Sequence, residues 1–341
     1  MSRITSRLLA LPLALLALVA SLTVALVGTG LLVPAHADDA DDEHVRAVLT
    51  ISVDGFNPKA IKALGEARTP TIHRLMAEGA FTLKARTEYE STSTLPNHTG
   101  MLTGLPVSGS NGHHVDFNED NGSTVQAEAG RSVGSVLNRV HTQIGSTAMF
   151  VGKSKFDLLQ RSFGPAIDQY TRLGDNDKLT DAVIADLQAN RRAFTFVHLS
   201  APDGAGHEFG YMSQPYLDAI AATDARIGRI LAAVTADAWM RKHLVVIVTS
   251  DHGGLGTSHA DETLRVNYRI PFIVWGARVE RARLYRINPH LANPGKSRPG
   301  YSGAQPVRNG MVANLVTDLL DASRVKGSFF NRKRKLTVFR P

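Results

Sequence analysis

Residues 244–253 read LVVIVTSDHG, an apolar and β-branched run that ends in an aspartate and a histidine. Two other runs also reach an acid, since VLTISVDG contains Asp54 and TFVHLSAPD ends at Asp203. Runs that are apolar at nearly every position are typical of strands buried in a parallel sheet. Because ligand crevices in such sheets lie at the carboxyl ends of the strands, we expect these three acids to meet at one edge.

Strand-like runs alternate with amphipathic helical segments along most of the chain. The predicted strands are residues 45–53, 147–151, 194–199, 244–249 and 271–275, and the predicted helices are residues 69–78, 132–141, 179–189, 216–234 and 307–320. This alternation predicts an α/β fold, an α/β/α sandwich around a mostly parallel sheet. No internal repeat or low-complexity linker interrupts residues 45–330, so residues 38–341 are predicted to form a single domain.

The N-terminus has the pattern of an export signal. Arginines precede an apolar run over residues 8–33, and Ala35-His36-Ala37 has the form of a signal-peptidase site. We therefore predict that residues 1–37 are a signal peptide, cleaved after Ala37, and that the protein is secreted without stable membrane association. The alternative is an uncleaved membrane anchor, because the apolar run is long enough to span a bilayer.

Composition limits the kinds of site that the chain can build. The chain contains no cysteine, so a metal site must use oxygen and imidazole ligands. The formal net charge is +7, and the basic cluster at residues 332–335 has no aromatic residues among its lysines and arginines. Without a known nucleic-acid-binding module, this cluster is interpreted as a solvated tail.

Acids and histidines lie close together at two of the strand ends. Asp203 and His207 are separated by Gly-Ala-Gly, which we expect to form a loop that folds tightly around an ion. Asp251 and His252 are adjacent, and His259 follows in a loop of Gly, Leu, Thr and Ser. Carboxylates and imidazoles are suitable ligands for zinc or manganese, so the sequence predicts a metal site.

A candidate nucleophile lies in STSTLPNHTG, residues 91–100. Pro96 suits the first turn of a helix, which places Thr94 at the helix N-terminus, where unpaired N–H groups favour an anion such as phosphate. A threonine hydroxyl is a poor nucleophile until a divalent cation lowers its pKa. Taken alone, the motif favours the role of a helix cap for Thr94 over that of a nucleophile.

Taken together, four motifs resemble the alkaline phosphatase superfamily, and most closely its nucleotide pyrophosphatase/phosphodiesterase branch. They are ISVDG at residues 51–55, TLPNH at 94–98, the Asp203–His207 spacing and TSDHG at 249–253. The resemblance implies two divalent cations, zinc or alternatively manganese, and a phosphothreonine intermediate at Thr94. One cation would activate the threonine and the other would stabilise the departing oxygen.

The resemblance also implies a role for each matching residue. Asp54, Asp251 and His252 would bind one metal, with Thr94 beside it as nucleophile and ligand. Asp203, His207 and His259 would bind the second metal, with His290 as an alternative to His259. Asn97 would donate its side-chain amide to a phosphate oxygen.

Substrate class follows from what surrounds the nucleophile. Sulfatases carry Cys or Ser followed by x-Pro-x-Arg, whereas this chain has Thr94-Leu-Pro-Asn-His, so sulfate esters are not expected. Monoesterases need an extra cation, which Lys153 or Lys155 could supply from the segment 149–156, although both are interpreted as solvated residues after a strand. A small phosphodiester or pyrophosphate is therefore the expected substrate. Leu95, in place of an aromatic residue, suggests an apolar leaving group or a smaller stacking surface.

Three rival functions remain open at this stage. A phosphomonoesterase is the main alternative, and a secreted binding protein without activity is the second. A phosphomutase would need an inserted cap domain, and residues 94–203 show no interruption of the core pattern.

Overall fold

The computed structural model describes residues 44–330 and 335–339. The predicted signal peptide at residues 1–37 and most of the basic cluster at 332–335 lie outside the described residues. Within the described part of the chain, no helix is long and apolar enough to cross a membrane. Cleavage of the signal peptide and the single-domain assignment therefore stay predictions.

The elements of the structure include every predicted strand and helix, with bounds that differ by a few residues. The strands are β1 (Ala47–Val53), β2 (Ala80–Arg86), β3 (Thr147–Val151), β4 (Gln169–Arg172), β5 (Phe194–Leu199), β6 (Leu244–Thr249), β7 (Arg269–Gly276) and β8 (Ala282–Arg283). The helices are α1 (Pro58–Arg68), α2 (Pro70–Glu78), α3 (Thr94–Thr103), α4 (Val125–Ala129), α5 (Val136–Gln143), α6 (Asp157–Phe163), α7 (Asn176–Ala189), α8 (Ala201–Phe209), α9 (Gln214–Ala236), α10 (Ala238–His243), α11 (Arg265–Tyr268), α12 (Leu284–Ile287) and α13 (Val312–Leu319).

In the described part of the chain, the strands form one sheet in the order β4-β3-β5-β1-β6-β7-β2-β8. The strands from β4 to β6 in this order are parallel, whereas β7 runs antiparallel to both β6 and β2. β1 lies between β5 and β6, with Ser52 opposite His198 on one side and Thr249 on the other. The residues that follow these three strands therefore emerge side by side, and the predicted mostly parallel sheet is confirmed.

Apolar side chains cover the sheet on both faces. Leu49 of β1 lies in one buried cluster with Ile227 of α9, and Val245 of β6 lies in a second cluster with Leu315 of α13. Neighbouring positions along a strand point to opposite faces, so a strand that is apolar throughout can contribute to both clusters. Helices pack on each face, which confirms the sandwich expected from the sequence.

The start of α2 is stabilised by a carboxylate from α9. Asp224 is buried, and its two oxygens accept the backbone N–H groups of Thr71 at 3.0 Å and Ile72 at 2.7 Å. These groups belong to the first turn of α2, where the helix itself offers no carbonyl acceptor. Burial raises the pKa of Asp224, although both backbone hydrogen bonds oppose this shift. Asp224 therefore links two helices through the backbone of one of them.

We predict that Asp224→Ala lowers the free energy of unfolding by about 2 kcal/mol, because two buried N–H groups lose their acceptor. Urea unfolding followed by circular dichroism measures the change. Asp218→Ala is the matched control, since Asp218 lies on the same helix but is exposed and pairs with Arg68; its unfolding midpoint should not move. Equal midpoints for Asp224→Ala and the unmutated protein would contradict the capping role.

Candidate metal centre and active site

The three acids predicted to meet at the sheet edge do meet there, and all are buried. Asp54 follows β1, Asp251 follows β6, and Asp203 lies in the first turn of α8, directly after β5. Their side chains are 0%, 0% and 3% exposed, respectively. Like charges this close together in a low-dielectric interior repel one another, so the group needs compensating cations.

Asp54, Asp251 and His252 form the first candidate metal-binding group. One ligand atom from each lies within 4.8 Å of the others, and His252 Nε2 is 3.3 Å from both Asp54 Oδ1 and Asp251 Oδ2. Neither of these two carboxylate oxygens has a hydrogen-bond partner in the structure. Buried polar atoms without partners are rare in folded proteins, and oxygen with imidazole nitrogen is a zinc or manganese donor set. The residues therefore fit a divalent cation.

The second candidate metal-binding group comprises Asp203, His252 and His259, whose ligand atoms also lie within 4.8 Å of one another. His207, half-exposed at the outer side of this group, places Nε2 3.1 Å from His259 Nε2 and 3.5 Å from Asp203 Oδ1. The structure thus brings Asp203, His207 and His259 together beside the first group. His290 lies elsewhere, with its Nε2 bonded to the backbone carbonyl of Lys335.

The expected loop between Asp203 and His207 is wrong, because both residues lie on α8. Their spacing of four residues places them on one face of that helix. A Cβ at Gly206 would come within 2.7 Å of the Tyr211 ring. This glycine therefore permits close packing rather than a loop. The hydroxyl of Tyr211 donates a hydrogen bond to Asp203 Oδ1 and so helps to orient that carboxylate.

Thr94 is the first residue of α3, and Ser93 occupies the cap position without a side-chain cap bond. Ser93, and not Thr94, therefore occupies the cap position that the sequence suggested for Thr94. Thr94 Oγ1 lies 3.5 Å from His252 Nε2. Because His252 belongs to the first candidate metal-binding group, the hydroxyl lies next to that group. The dipole of α3 favours negative charge next to this hydroxyl, whereas the N–H of Leu95 is already donated to Asn118 Oδ1 and Pro96 has no N–H.

Asn97 faces the chain that precedes Thr94 rather than the cleft. It is fully buried, and its amide nitrogen donates to the carbonyls of Ser91 and Ser93, each at 2.9 Å. Its Oδ1 accepts the N–H of Glu88 and the side-chain amide of Asn309, also at 2.9 Å. The expected bond from Asn97 to a phosphate oxygen would require the Asn97 amide to give up its bonds to Ser91 and Ser93. In the structure these bonds hold the chain before Thr94 in place.

Two interpretations of the neighbouring residues are wrong. Leu95 is fully buried in the apolar core, so it offers no surface to a leaving group. Lys153 is not a solvated residue, since its Nζ lies 2.6 Å from Asp54 Oδ2 and 2.5 Å from Asp203 Oδ2. Lys155 is also largely buried and pairs with Glu119 at 3.0 Å. The turn after β3 therefore brings Lys153 into the candidate site.

The pKa values in the site reflect these opposed charges. Burial favours the neutral form of Asp54, but Lys153, followed by His198 and His252, outweighs it and holds the pKa of that carboxyl well below its usual range. Burial, and next the charge of Asp54, raises the pKa of Asp251 to about 7. Burial lowers the pKa of Lys153, but Asp54 and Asp203 reverse this effect and raise it above its usual value. An additional cation beside Asp251 would stabilise its ionised form.

The candidate site opens to solvent through a cleft with a volume of about 510 Å³. The cleft residues that bear on the chemistry are Thr94, Asn118, Lys153, Asp203, His207 and His259. Asn118 Oδ1 also accepts the N–H of Leu95 at 3.0 Å, which fixes this side chain next to the start of α3. The cleft therefore gives a small ligand access to Thr94, to Lys153 and to Asp203 and His259 of the second candidate metal-binding group.

Sequence reasoning missed two of the residues that surround the acids. His198, within β5, places Nε2 2.9 Å from Asp54 Oδ2, and Tyr211 contacts Asp203 as described above. A histidine inside the apolar run FTFVHL was a visible signal, because a buried polar side chain usually has a specific partner. Tyr211 had no such signal, since a tyrosine after a helix has many structural roles.

Comparison with known proteins identifies relatives of this chain. Residues 48–112 and 124–303 match the profile of the type I phosphodiesterase/nucleotide pyrophosphatase family. GPI ethanolamine phosphate transferase 1 of Chaetomium globosum is 30% identical over 131 residues, which cover 37% of this chain and 12% of that protein. The protein of the same name from Neurospora crassa is 31% identical over 111 residues, covering 31% and 10%. The matched segments thus span about a tenth of the length of these two relatives.

Solved structures share the fold at low sequence identity. Murine ectonucleotide pyrophosphatase/phosphodiesterase 5, in an inactive form in complex with AMP, is 14% identical with a TM-score of 0.62, covering 82% of this chain and 96% of that chain. A Vibrio parahaemolyticus protein in the alkaline phosphatase superfamily is 15% identical with a TM-score of 0.58, covering 86% and 70%. The sandwich is thus an alkaline-phosphatase-superfamily fold. Because the family profile matches well over half of the chain, the protein belongs to the type I phosphodiesterase/nucleotide pyrophosphatase family.

Proposed function

We propose that this protein hydrolyses phosphodiester or pyrophosphate bonds, with Thr94 as the nucleophile and two divalent cations as cofactors. The observation that carries the proposal is the position of Thr94 Oγ at the start of α3, 3.5 Å from the His252 nitrogen that both candidate metal-binding groups include. A helix N-terminus favours a bound anion, and nearby metal ligands can place a cation that activates a hydroxyl, so both features suit phosphoryl transfer to a side chain.

The ligands assigned by the resemblance fit this geometry. Asp54, Asp251 and His252 would hold one cation, and Asp203, His207 and His259 the other, with zinc as the first choice and manganese as the alternative. Such cations lower the pKa of a hydroxyl and neutralise the charge on the leaving oxygen.

Within this frame, the reaction proceeds by two displacements at phosphorus. Thr94 Oγ forms a bond to phosphorus while the bond to the leaving oxygen breaks, and the hydroxyl proton passes through solvent to the leaving oxygen. Water then attacks the phosphothreonine from the side that the leaving group vacated. Its hydroxyl stays on phosphorus and its remaining proton returns to Thr94. The dipole of α3, whose first residue is Thr94, favours the phosphate charge in both steps.

A phosphomonoesterase is the second candidate, and the position of Lys153 favours it. A monoester carries more negative charge than a diester, and an ammonium in the cleft is suited to that charge. Lys155 also lines the cleft, but it pairs with Glu119 rather than with the acids of the candidate metal-binding groups. The family description, which names phosphodiesters and nucleotide pyrophosphates, supports the diester, so diesters remain the first proposal.

The proposal that the protein is exported rests on the N-terminal sequence and not on the fold. We keep the proposal that residues 1–37 direct secretion and are cleaved after Ala37, with an uncleaved anchor as the alternative. The support is the arginine-flanked apolar run and the Ala-His-Ala motif. N-terminal sequencing of the protein from culture medium and from membranes distinguishes the two.

Thr94→Ala should abolish turnover, with at least a 10³-fold loss expected because no other hydroxyl replaces the nucleophile. Its bound metal, measured by atomic emission, should remain close to the unmutated content, since two complete candidate metal-binding groups are left. Ser93→Ala is the matched control, because Ser93 is adjacent, lines the same cleft and makes no cap bond; it should keep most of the activity. A Thr94→Ala protein that retained most of its rate would refute the role of Thr94.

The purified protein should hydrolyse an aryl phosphodiester with a higher kcat/KM than the matching monoester, and a chelator should abolish both activities. The physical reason is that no arginine accompanies the nucleophile motif to neutralise the extra monoester charge. Initial rates with both substrates, before and after chelation and re-addition of zinc or manganese, give the comparison. Faster monoester turnover would favour the second candidate, and full activity in chelator would exclude metal-assisted catalysis.

Lys153→Met tests the second candidate directly. If the ammonium contacts the additional charge of a monoester, kcat/KM for the monoester should fall by about 10²-fold while that for the diester changes much less. Lys155→Met is the matched control, because Lys155 is on the same turn but paired with Glu119. Equal losses for both substrates would show that Lys153 does not distinguish between the two classes.

A further inference from the structure

His198 is a buried imidazole that the proposed reaction does not use. It is fully buried in β5, directly opposite Ser52 of β1. Its Nε2 is 2.9 Å from Asp54 Oδ2, and its Nδ1 is 3.3 Å from the backbone nitrogen of Gly152. Both ring nitrogens are therefore engaged, one with a candidate metal ligand and one with the turn that carries Lys153.

The two partners determine which nitrogen of His198 carries the proton. A backbone N–H can only donate, so Gly152 donates to Nδ1, which must present its lone pair. In the neutral imidazole Nε2 then carries the hydrogen and donates it to Asp54 Oδ2. The ring therefore has one tautomer and one orientation that satisfy both contacts.

The neighbourhood of His198 makes any other orientation costly. The ring packs against Phe156 with a centroid distance of 4.4 Å and meets the edge of His98 at 5.0 Å. A rotated ring would leave the Gly152 N–H and Asp54 Oδ2 without these partners in a buried site. Contact between Gly152 and the end of β5 is also close, since a Cβ on Gly152 would lie 2.5 Å from Oγ of Ser200, which follows β5, and 3.4 Å from the carbonyl oxygen of His198.

We propose that His198 is a positioning residue that orients Asp54 for cation binding and couples that carboxylate to the turn bearing Lys153. The inference rests on the proposed metal-dependent function and adds a residue to it. Donation from Nε2 leaves Asp54 Oδ1 directed at His252 Nε2, 3.3 Å away, in the first candidate metal-binding group. Groups that hold a ligand in this way typically change metal affinity or activity by about 10–100-fold when they are replaced.

Two substitutions separate the two contacts of His198. His198→Gln retains a polar group that reaches towards Asp54, close to the position of Nε2, and loses the acceptor for Gly152. His198→Asn retains an acceptor near the position of Nδ1 and loses the donor to Asp54. His243→Asn is the matched control, because His243 is also buried but lies before β6, at the opposite end of that strand from Asp251.

Competition of the full-length protein with a chromophoric zinc chelator measures affinity for zinc, independently of turnover. Melting of the metal-stripped proteins reports stability separately. His198→Asn should weaken the tighter of the two zinc-binding steps by about 10–100-fold. His198→Gln should weaken it only several-fold, and His243→Asn should leave it unchanged. If His198→Asn does not fold, His198→Gln decides alone: affinity within several-fold of the unmutated protein is expected, and a 100-fold loss overturns the inference.

Equal affinities for His198→Asn and the unmutated protein would overturn the positioning role. The role would also be overturned if both His198 variants lost the same zinc affinity and this loss paralleled their lower melting temperatures. That result would indicate that His198 acts through packing alone. An unmutated protein that bound no zinc or manganese would instead refute the proposed function, and the inference with it. These results are distinguishable because the unmutated protein is measured first.

Discussion

The structure around the site depends on one constraint: three carboxylates are buried side by side at the ends of adjacent parallel strands. Removing a carboxylate from water costs several kcal/mol, and neighbouring like charges add to that cost. Asp54 is compensated by Lys153, His198 and His252, and its pKa stays low, whereas the pKa of Asp251 is raised. A site with more buried acid than fixed positive charge is suited to binding cations.

Sheet topology converts this constraint into a usable site. Because β1 lies between β5 and β6, the residues that follow the three strands converge without a long loop. Helix α8 begins directly after β5 and adds His207 one turn beyond Asp203. Helix α3 presents Thr94 at its N-terminus, where its own backbone favours a phosphate. The same edge thus collects the candidate metal ligands and the N-terminus of a helix, a combination that suits phosphoryl transfer.

The candidate nucleophile, Thr94, is preceded by a segment that amide contacts hold in place. The side-chain amide of Asn97 donates to the carbonyls of Ser91 and Ser93 and so holds the chain before Thr94 in place. The side-chain amide of Asn309 donates to Asn97 Oδ1 and, at 3.3 Å, to the carbonyl of Ser250. Ser250 directly precedes Asp251, just after β6. Helix α3 is therefore connected to the strand that supplies Asp251. Such a connection limits relative movement between a nucleophile and its metal ligands, and small displacements of this kind are costly in catalysis.

The sequence alone determined the α/β sandwich and the convergence of Asp54, Asp203 and Asp251, because strand periodicity and parallel topology are local patterns with one geometric consequence. It did not determine that Asp203 lies on a helix, that Leu95 is buried, or that Lys153 reaches the acids. Those features depend on packing between segments far apart in the chain, such as Gly206 against the Tyr211 ring. Spacing along a sequence shows which residues lie near a strand end; only the tertiary structure decides which way each side chain points.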